Sequence, residues 1–533
     1  MPFLLLSLNH SPIVYFEHPL IKKQSVQLRE YQEELACRAS RSSTLLVLPT
    51  GLGKTVVAAM VIAEVLHKKV GKVLFLAPTR PLVEQHRRTL EAMIEGKRIG
   101  MMTGEVDPME RELIFLENDI IASTPQVVAN DLKHGRMDLK DVRLIIFDEA
   151  HRAVGNYAYV AVAKEYMEHA GLVLGMTASP GSDKEKIREV CQNLNIKDIE
   201  VRTEKDRDVA KYVQSIRMDW VEVELPPEMR RIAAIIQSLY EAYLKELVAL
   251  NVVDKDRVLS KRYLLEMASL WQARLRGGEK TRSLYKAISV QAKAVKVEHA
   301  MDLVETQGMS SLRAYLKRLQ DEASSEVGSK ASREIVASAQ FQDIIEMAEA
   351  MKAEHPKLSR VMGVIARQLS DSPSSKILVF THYRDTCELM ANKLSRVEGA
   401  KVAKLVGQSD RKGEKGQRQK GQVSVLERFR QGEFNVLVAT SVGEEGLDIA
   451  STDLVVFYEP VPSEIRSIQR RGRTGRSRAG KVIIFITKGT RDEAYYYSSV
   501  NKEKAMRRRL DTMKSELSEE RPKEEKQRTL GDF

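Results

Sequence analysis

The run Pro49-Thr50-Gly51-Leu52-Gly53-Lys54-Thr55 lies between an apolar stretch, Leu45-Leu46-Val47-Leu48, and a helix-forming stretch from Thr55 to Leu66. This restricts the fold more than any other feature of the chain. A buried strand that passes through a tight glycine turn into a helix opens a parallel α/β unit, because the helix must cross back over the sheet face. Gly51 and Gly53 let the backbone turn and aim N–H groups at phosphate oxygens, and the helix N-terminus adds its positive dipole end. Lys54 has the reach for β- and γ-phosphates, and the Thr55 hydroxyl is placed to ligate Mg²⁺. With Thr50, these residues form the candidate ATP-binding set.

A second centre follows at Val142-Arg143-Leu144-Ile145-Ile146-Phe147, read as a strand that ends in Asp148-Glu149-Ala150-His151. An aspartate at a strand's carboxyl end can hold the water shell of Mg²⁺, and the adjacent Glu149 can orient or deprotonate an attacking water. His151 would link this centre to the rest of the site. Strand-like runs return at Lys376–Phe380, Asn435–Thr440 and Leu454–Tyr458, separated by helical stretches, which predicts a second parallel sheet. That half carries Gln469-Arg470-Arg471-Gly472-Arg473-Thr474-Gly475-Arg476. Arg473 and Arg476 share a helix face and could stabilise charge on a transferring phosphoryl group from the opposite lobe.

These motifs resemble those of superfamily 2 helicases, and within them the helicase part of archaeal Hef, related to the Fanconi anaemia M helicase and the RIG-I-like branch. The resemblance runs from about Leu28 to Asp492. It implies two RecA-like parallel-sheet lobes with an inserted all-helical domain, and an ATP- and Mg²⁺-dependent DNA helicase or translocase. On it, Gln32 in Leu28-Arg29-Glu30-Tyr31-Gln32 is the adenine reader. Thr79 and Arg80 of Ala77-Pro78-Thr79-Arg80, Thr124 of Ser123-Thr124-Pro125-Gln126, and Thr440 track a nucleic-acid backbone. Thr177-Ala178-Ser179 couples hydrolysis to movement, and Gly446 and Asp448 of Gly443-Glu444-Glu445-Gly446-Leu447-Asp448 contact the nucleotide. Gln469, Arg473 and Arg476 complete the catalytic set with Lys54, Asp148 and Glu149. Hydroxyls, N–H groups and arginines hold phosphate without reading bases, so binding by shape and charge is expected. The same motor and helical insertion occur in double-stranded-RNA-activated ATPases of the RIG-I/Dicer type, which is the alternative reading.

Four segments are expected: a first lobe over 1–225, a helical insertion over 226–354, a second lobe over 355–510 and a disordered tail over 511–533. In the insertion, Arg274, Arg276 and neighbouring lysines interleave with Tyr263, Trp271 and Tyr285, a pattern suited to a duplex-binding face. Arg411, Lys412, Lys415, Arg418 and Lys420, punctuated by glycines, read as a flexible cationic loop. The tail carries Gln527, Leu530 and Phe533 at offsets that resemble a peptide for the sliding clamp PCNA. Nothing resembles the nuclease signature of full-length Hef, so strand cleavage is not expected.

A net charge of +11 favours a polyanionic partner such as forked or branched DNA. Three cysteines without metal-ligand spacing fit a reducing interior, and no segment reads as a membrane anchor. The expected location is cytoplasmic and nucleoid-associated.

Overall fold

The computed structural model describes residues 14–169, 171–204, 206–212, 216–254, 257–407, 419–440, 452–461, 463 and 480–519. The first sheet has seven parallel strands: β1 Thr44–Val47, β2 Lys72–Leu76, β3 Ile99–Met102, β4 Ile120–Ser123, β5 Val142–Asp148, β6 Leu172–Thr177 and β7 Asp198–Val201. Their order is β3-β4-β2-β5-β6-β1-β7. Helices α1 Glu30–Ala39, α2 Lys54–Lys68, α3 Arg80–Met93, α4 Pro108–Glu117, α5 Pro125–Lys133, α6 Ala158–Tyr166, α7 Lys184–Asn193 and the short α8 Arg207–Ala210 accompany these strands. Strands β1 and β4 are buried along their whole length, as expected of a parallel sheet covered on both faces. The ladder aligns Val47 with Thr177, and Asp148 with Met176. The loops after β1, β5 and β6 therefore emerge side by side at the carboxyl edge, where open α/β sheets bind ligands.

The second sheet is also parallel. It contains β8 Ile216–Val223, β9 Ile377–Phe380, β10 Val402–Leu405, β11 Val436–Ala439, β12 Leu454–Phe457 and β13 Gly480–Thr487, in the order β10-β11-β9-β12-β13-β8. Strand β8 falls inside the span expected for the first lobe. It instead pairs with β13 over eight residues, from Ile216↔Gly480 to Val223↔Thr487, so the chain enters the second sheet before it forms the helical domain. Backbone pairing with a distant strand decides its place, and its own sequence specifies only that it is extended.

The helical domain comprises α9 Pro227–Ala249, α10 Lys261–Arg276, α11 Arg282–Asp302, α12 Met309–Ser324, α13 Lys330–Val336 and α14 Ala339–Ala350. Ile232, Ile236, Leu247, Leu264, Val290 and Leu312 pack its interior. Tyr263 and Trp271 belong to that core, and among the expected aromatics only Tyr285 is exposed, at 52%. The reason is helical spacing: Tyr263, Leu264 and Trp271 share the stripe of α10 that faces the bundle.

A buried polar seam joins this domain to the second lobe, which adds α15 Pro356–Asp371, α16 Arg384–Leu394 and α17 Gln419–Gln431. Between α11 and α12 the chain makes a π-helical turn, Leu303–Gln307. There the Gln307 carbonyl accepts from Tyr458 Oη at 3.0 Å, and Gln307 Oε1 accepts from Thr386 Oγ1 at 2.8 Å. Tyr383 Oη and Tyr495 Oη both donate to the Asp302 carboxylate, at 2.7 and 3.2 Å.

The last described helix, α18 Arg491–Glu519, leaves the second lobe and returns to the first. Met506, Leu510 and Met513 are buried in the first-lobe core, and Lys184 pairs with Glu516 at 2.8 Å. The helix thus runs through Glu519, past residue 511 where the tail was expected to begin, and its apolar stripe finds a surface on the other lobe.

Candidate active site

The phosphate loop takes the form its glycines permit. Gly51 and Gly53 have φ of +87° and +82°, and Gly53 caps the N-terminus of α2. A Cβ at Gly53 would also meet Gln32 Nε2, so a side chain there would have to push the Gln32 amide aside as well as hold a left-handed backbone. Gln32, the expected adenine reader, is buried and donates to the Leu52 carbonyl at 3.0 Å, and Tyr31 Oη donates to the same oxygen at 2.8 Å. In this arrangement both side chains brace the loop. Lys54 Nζ donates to the Leu48 carbonyl at 3.1 Å, which ties the end of the loop to its beginning.

Asp148 ends β5 beside Thr55, and His86 stands between them. His86 Nε2 lies 2.8 Å from Asp148 Oδ2, and its Nδ1 lies 3.4 Å from Thr55 Oγ1. Burial alone would push the Asp148 carboxyl up, but His86, Lys54 and the Glu149 N–H hold it below the usual carboxylate range. Tyr159 Oη donates to the Asp148 carbonyl at 2.6 Å and fixes the strand end from behind.

Glu149 adopts φ +49°, a left-handed conformation that a side-chain-bearing residue holds only under constraint. The turn projects its carboxylate toward His151 Nδ1, 3.4 Å away. His151 Nδ1 is also 3.0 Å from Thr177 Oγ1 at the end of β6. Ser179 donates its N–H to Thr177 Oγ1 at 3.1 Å and its hydroxyl to Met506 Sδ at 2.9 Å. A chain of contacts therefore leads from Glu149 through His151, Thr177 and Ser179 to a helix of the second lobe.

Of the candidate strand-contacting residues, Thr79, Arg80 and Thr124 lie on the other half of the same edge. Thr79 precedes α3 after β2, and Thr124 precedes α5 after β4; neither hydroxyl caps its helix. Arg80 pairs with Glu105. Thr440 follows β11 and is buried, its N–H donating to the Leu405 carbonyl at 3.1 Å. In the helical domain Arg274 is held by Glu279 through two hydrogen bonds of 2.7 and 2.6 Å. Arg276, Lys280 and Arg282 are exposed and have no ion partner among the described residues. Gly446, Asp448, Gln469, Arg473, Arg476, the cationic run 411–418 and the clamp-like residues Gln527, Leu530 and Phe533 lie outside the described residues.

His86, Tyr159 and Met506 were not anticipated. His86 did leave a trace in the sequence: it interrupts the buried stripe Val83–His86–Leu90 of α3. A histidine placed at core spacing needs polar partners inside.

Residues 18–182 match the family model "Type III restriction enzyme, res subunit", and 357–478 match "Helicase conserved C-terminal domain". Residues 228–355 match "Putative ATP-dependent RNA helicase, helical bundle". The crystal structure of the Pyrococcus furiosus Hef helicase domain aligns with a TM-score of 0.68 at 44% identity, covering 90% of this chain and 100% of that one. The chain belongs to the Hef helicase family. Among other relatives of this Hef-family chain, a Methanocaldococcus jannaschii protein named "Putative ATP-dependent RNA helicase" is 40% identical over 94% of the chain and 63% of its own length. "ATP-dependent DNA helicase MPH1" of Pyricularia oryzae is 34% identical over 90% of the chain and 45% of its own length. "ATP-dependent DNA helicase mph1" of Neurospora crassa is 32% identical over 88% and 42%. The Hef-family chain thus spans less than two thirds of each of these three relatives. Among the described residues no helix is long and apolar enough to cross a membrane.

Proposed function

We propose that this chain is an ATP-driven DNA helicase or translocase that remodels forked and branched DNA during replication-fork repair. The observation that carries this reading is the continuous set of contacts from the phosphate loop through Asp148, Glu149 and His151 to Thr177, Ser179 and the second-lobe helix α18. A site that only bound nucleotide would not need such a connection between lobes. The loop fits a triphosphate: its positive-φ glycines keep the cradle free of Cβ atoms, and Lys54 and Thr55 begin a helix whose N-terminus faces the loop. Mg²⁺ arriving with ATP would neutralise phosphate charge, held by Thr55 and Asp148. Glu149 orients the attacking water, and Lys54 exchanges its Leu48 contact for phosphate. By their resemblance to the family motifs, Gln469, Arg473 and Arg476 would complete the catalytic set, and Gly446 and Asp448 would contact the nucleotide.

Thr79, Arg80, Thr124 and Thr440 would track the strand, while Arg276 and its neighbours grip duplex. Work on nucleoid DNA and a contact with the sliding clamp through Gln527, Leu530 and Phe533 extend the same reading. The names of the Mph1 relatives favour DNA. The RNA names of one relative and of the helical-bundle model sustain the second reading, an RNA-activated ATPase.

ATP hydrolysis across single-stranded DNA, duplex DNA, forked DNA, a four-way junction and duplex RNA tests both. Strongest stimulation by fork or junction supports the proposal, and stimulation by duplex RNA alone replaces it. Lys54→Ala and Glu149→Gln are expected to abolish turnover with DNA binding retained.

A further inference from the structure

We propose that His86 is a positioning residue for the metal that accompanies the nucleotide, orienting both of its protein ligands at once; the inference rests on the nucleotide-site reading above. His86 is 6% exposed and sits on α3, outside the phosphate loop and the Asp148 motif. Its ring packs against Phe75 with centroids 4.4 Å apart, which fixes the imidazole plane. The two ring nitrogens then reach opposite partners, Asp148 Oδ2 at 2.8 Å and Thr55 Oγ1 at 3.4 Å.

Of the two neutral tautomers of His86, only one serves both contacts. A carboxylate only accepts, so Nε2 carries the proton and donates to Asp148, and Nδ1 is left to accept from the Thr55 hydroxyl. Both consequences favour a cation. A hydroxyl that donates to Nδ1 turns its proton away from the metal position and presents a lone pair there. A carboxylate held through Oδ2 keeps Oδ1 available for the metal or its water shell. Supporting contacts of this kind to metal ligands typically change affinity by about 10–100-fold.

The position of His86 along α3 adds a second consequence. Thr79 and Arg80 stand at the N-terminus of the same helix, roughly 9 Å along the axis from His86 at 1.5 Å per residue. Thr79 and Arg80 at its start and the buried His86 two turns on are thus carried by one helix. Metal hold and strand contact thereby share one element.

The test is binding of a fluorescent ADP analogue to the full chain, first in EDTA and then across a Mg²⁺ titration, for the unaltered protein, His86→Ala and His86→Gln. The amide of His86→Gln can reach Asp148 but cannot also accept from Thr55 on the opposite side. We expect equal affinity in EDTA, a Mg²⁺ midpoint raised about 10–100-fold in His86→Ala, and an intermediate midpoint in His86→Gln. The Mg²⁺ needed for half-maximal ATP turnover should move in parallel. Equal Mg²⁺ midpoints in all three proteins would overturn the role of His86 while leaving the nucleotide site standing. Loss of affinity in EDTA to the same degree as in Mg²⁺ would also overturn it, by showing that His86 only packs the loop. If the unaltered chain binds no ADP analogue in either condition, the nucleotide-site reading itself fails; binding without Mg²⁺-dependent tightening overturns the role of His86 alone. Should His86→Ala not fold, the midpoint of His86→Gln decides alone.

Discussion

Lys357 and Asp492 form an ion pair of 2.8 Å in which both side chains are 0% exposed, at the junction of the helical domain, the second sheet and α18. Asp492 Oδ2 also accepts from Thr487 N–H at 3.0 Å and from its hydroxyl at 2.8 Å, and Lys357 Nζ lies 4.8 Å from the Tyr458 ring centre. Burial pushes the Asp492 carboxyl above its ordinary range although Lys357 and Thr487 oppose the shift, so pairing does not fully offset desolvation. Replacing Lys357 by Met removes the cation and leaves a buried carboxylate, at a cost of about 3–5 kcal/mol. Lys357→Met combined with Asp492→Asn removes the charge but keeps an acceptor for Thr487, and should return to within about 1 kcal/mol of the parent.

The assay follows from the protein's two tryptophans, Trp220 on β8 and Trp271 in the helical domain. Their fluorescence during urea unfolding reports the unit that contains the pair and not the first lobe. The pH dependence has a definite sign. A carboxyl whose folded pKa is raised contributes stability that is complete below its unfolded value and lost as pH rises through the folded value. The deficit of Lys357→Met should therefore shrink on acidification, within the window between the ordinary carboxylate range and the raised one. A single variant costing under about 1 kcal/mol, or a double variant costing the sum of both singles, would refute the reasoning.

Gly53→Ala should strain a left-handed position by about 1–2 kcal/mol and displace Gln32, and nucleotide binding measured by fluorescence should weaken at least tenfold. Replacing Arg276, Lys280 and Arg282 together by Ala should lower the slope of log binding constant against log salt by about three units on duplex DNA. Arg274→Ala should change that slope less, because Glu279 already neutralises it. Met506→Ala should cost about 2–5 kcal/mol and depress DNA-stimulated turnover more than unstimulated turnover, as a steady-state ATPase assay with and without fork DNA would show.

The parts of the site that the sequence disclosed are those encoded in contiguous residues. Gly51 to Thr55 and Asp148 to His151 each combine a strand end, a turn and the chemical groups in one short run, so local rules suffice. Two alternating lobes around a helical middle were equally visible in the change from short apolar runs to long helical periodicity. What stayed hidden depended on partners far along the chain. The extended character of Ile216–Val223 is local, but its sheet is chosen by pairing with Gly480–Thr487. Tyr263 and Trp271 stood among basic residues as a binding face would, and only the stripe they share with Leu264 shows that they point inward. Met506, Leu510 and Met513 were masked by the intervening Arg507-Arg508-Arg509, although their spacing is that of a buried stripe.

The seat of α18 on the first lobe also sets a lever. It presses against β7, the edge strand next to β1 and its phosphate loop, whereas β4 and Thr124 lie five strands from β7 across the sheet. At about 4.8 Å per strand, the loop is roughly 5 Å from this pivot and the edge that carries Thr124, proposed to track a strand, roughly 24 Å. A rotation of one lobe on that seat would move the tracking edge about five times as far as the loop. On the proposed function, ångström-scale closure around a phosphate at the short arm would become, at the long arm, a displacement comparable to the spacing between successive nucleotides.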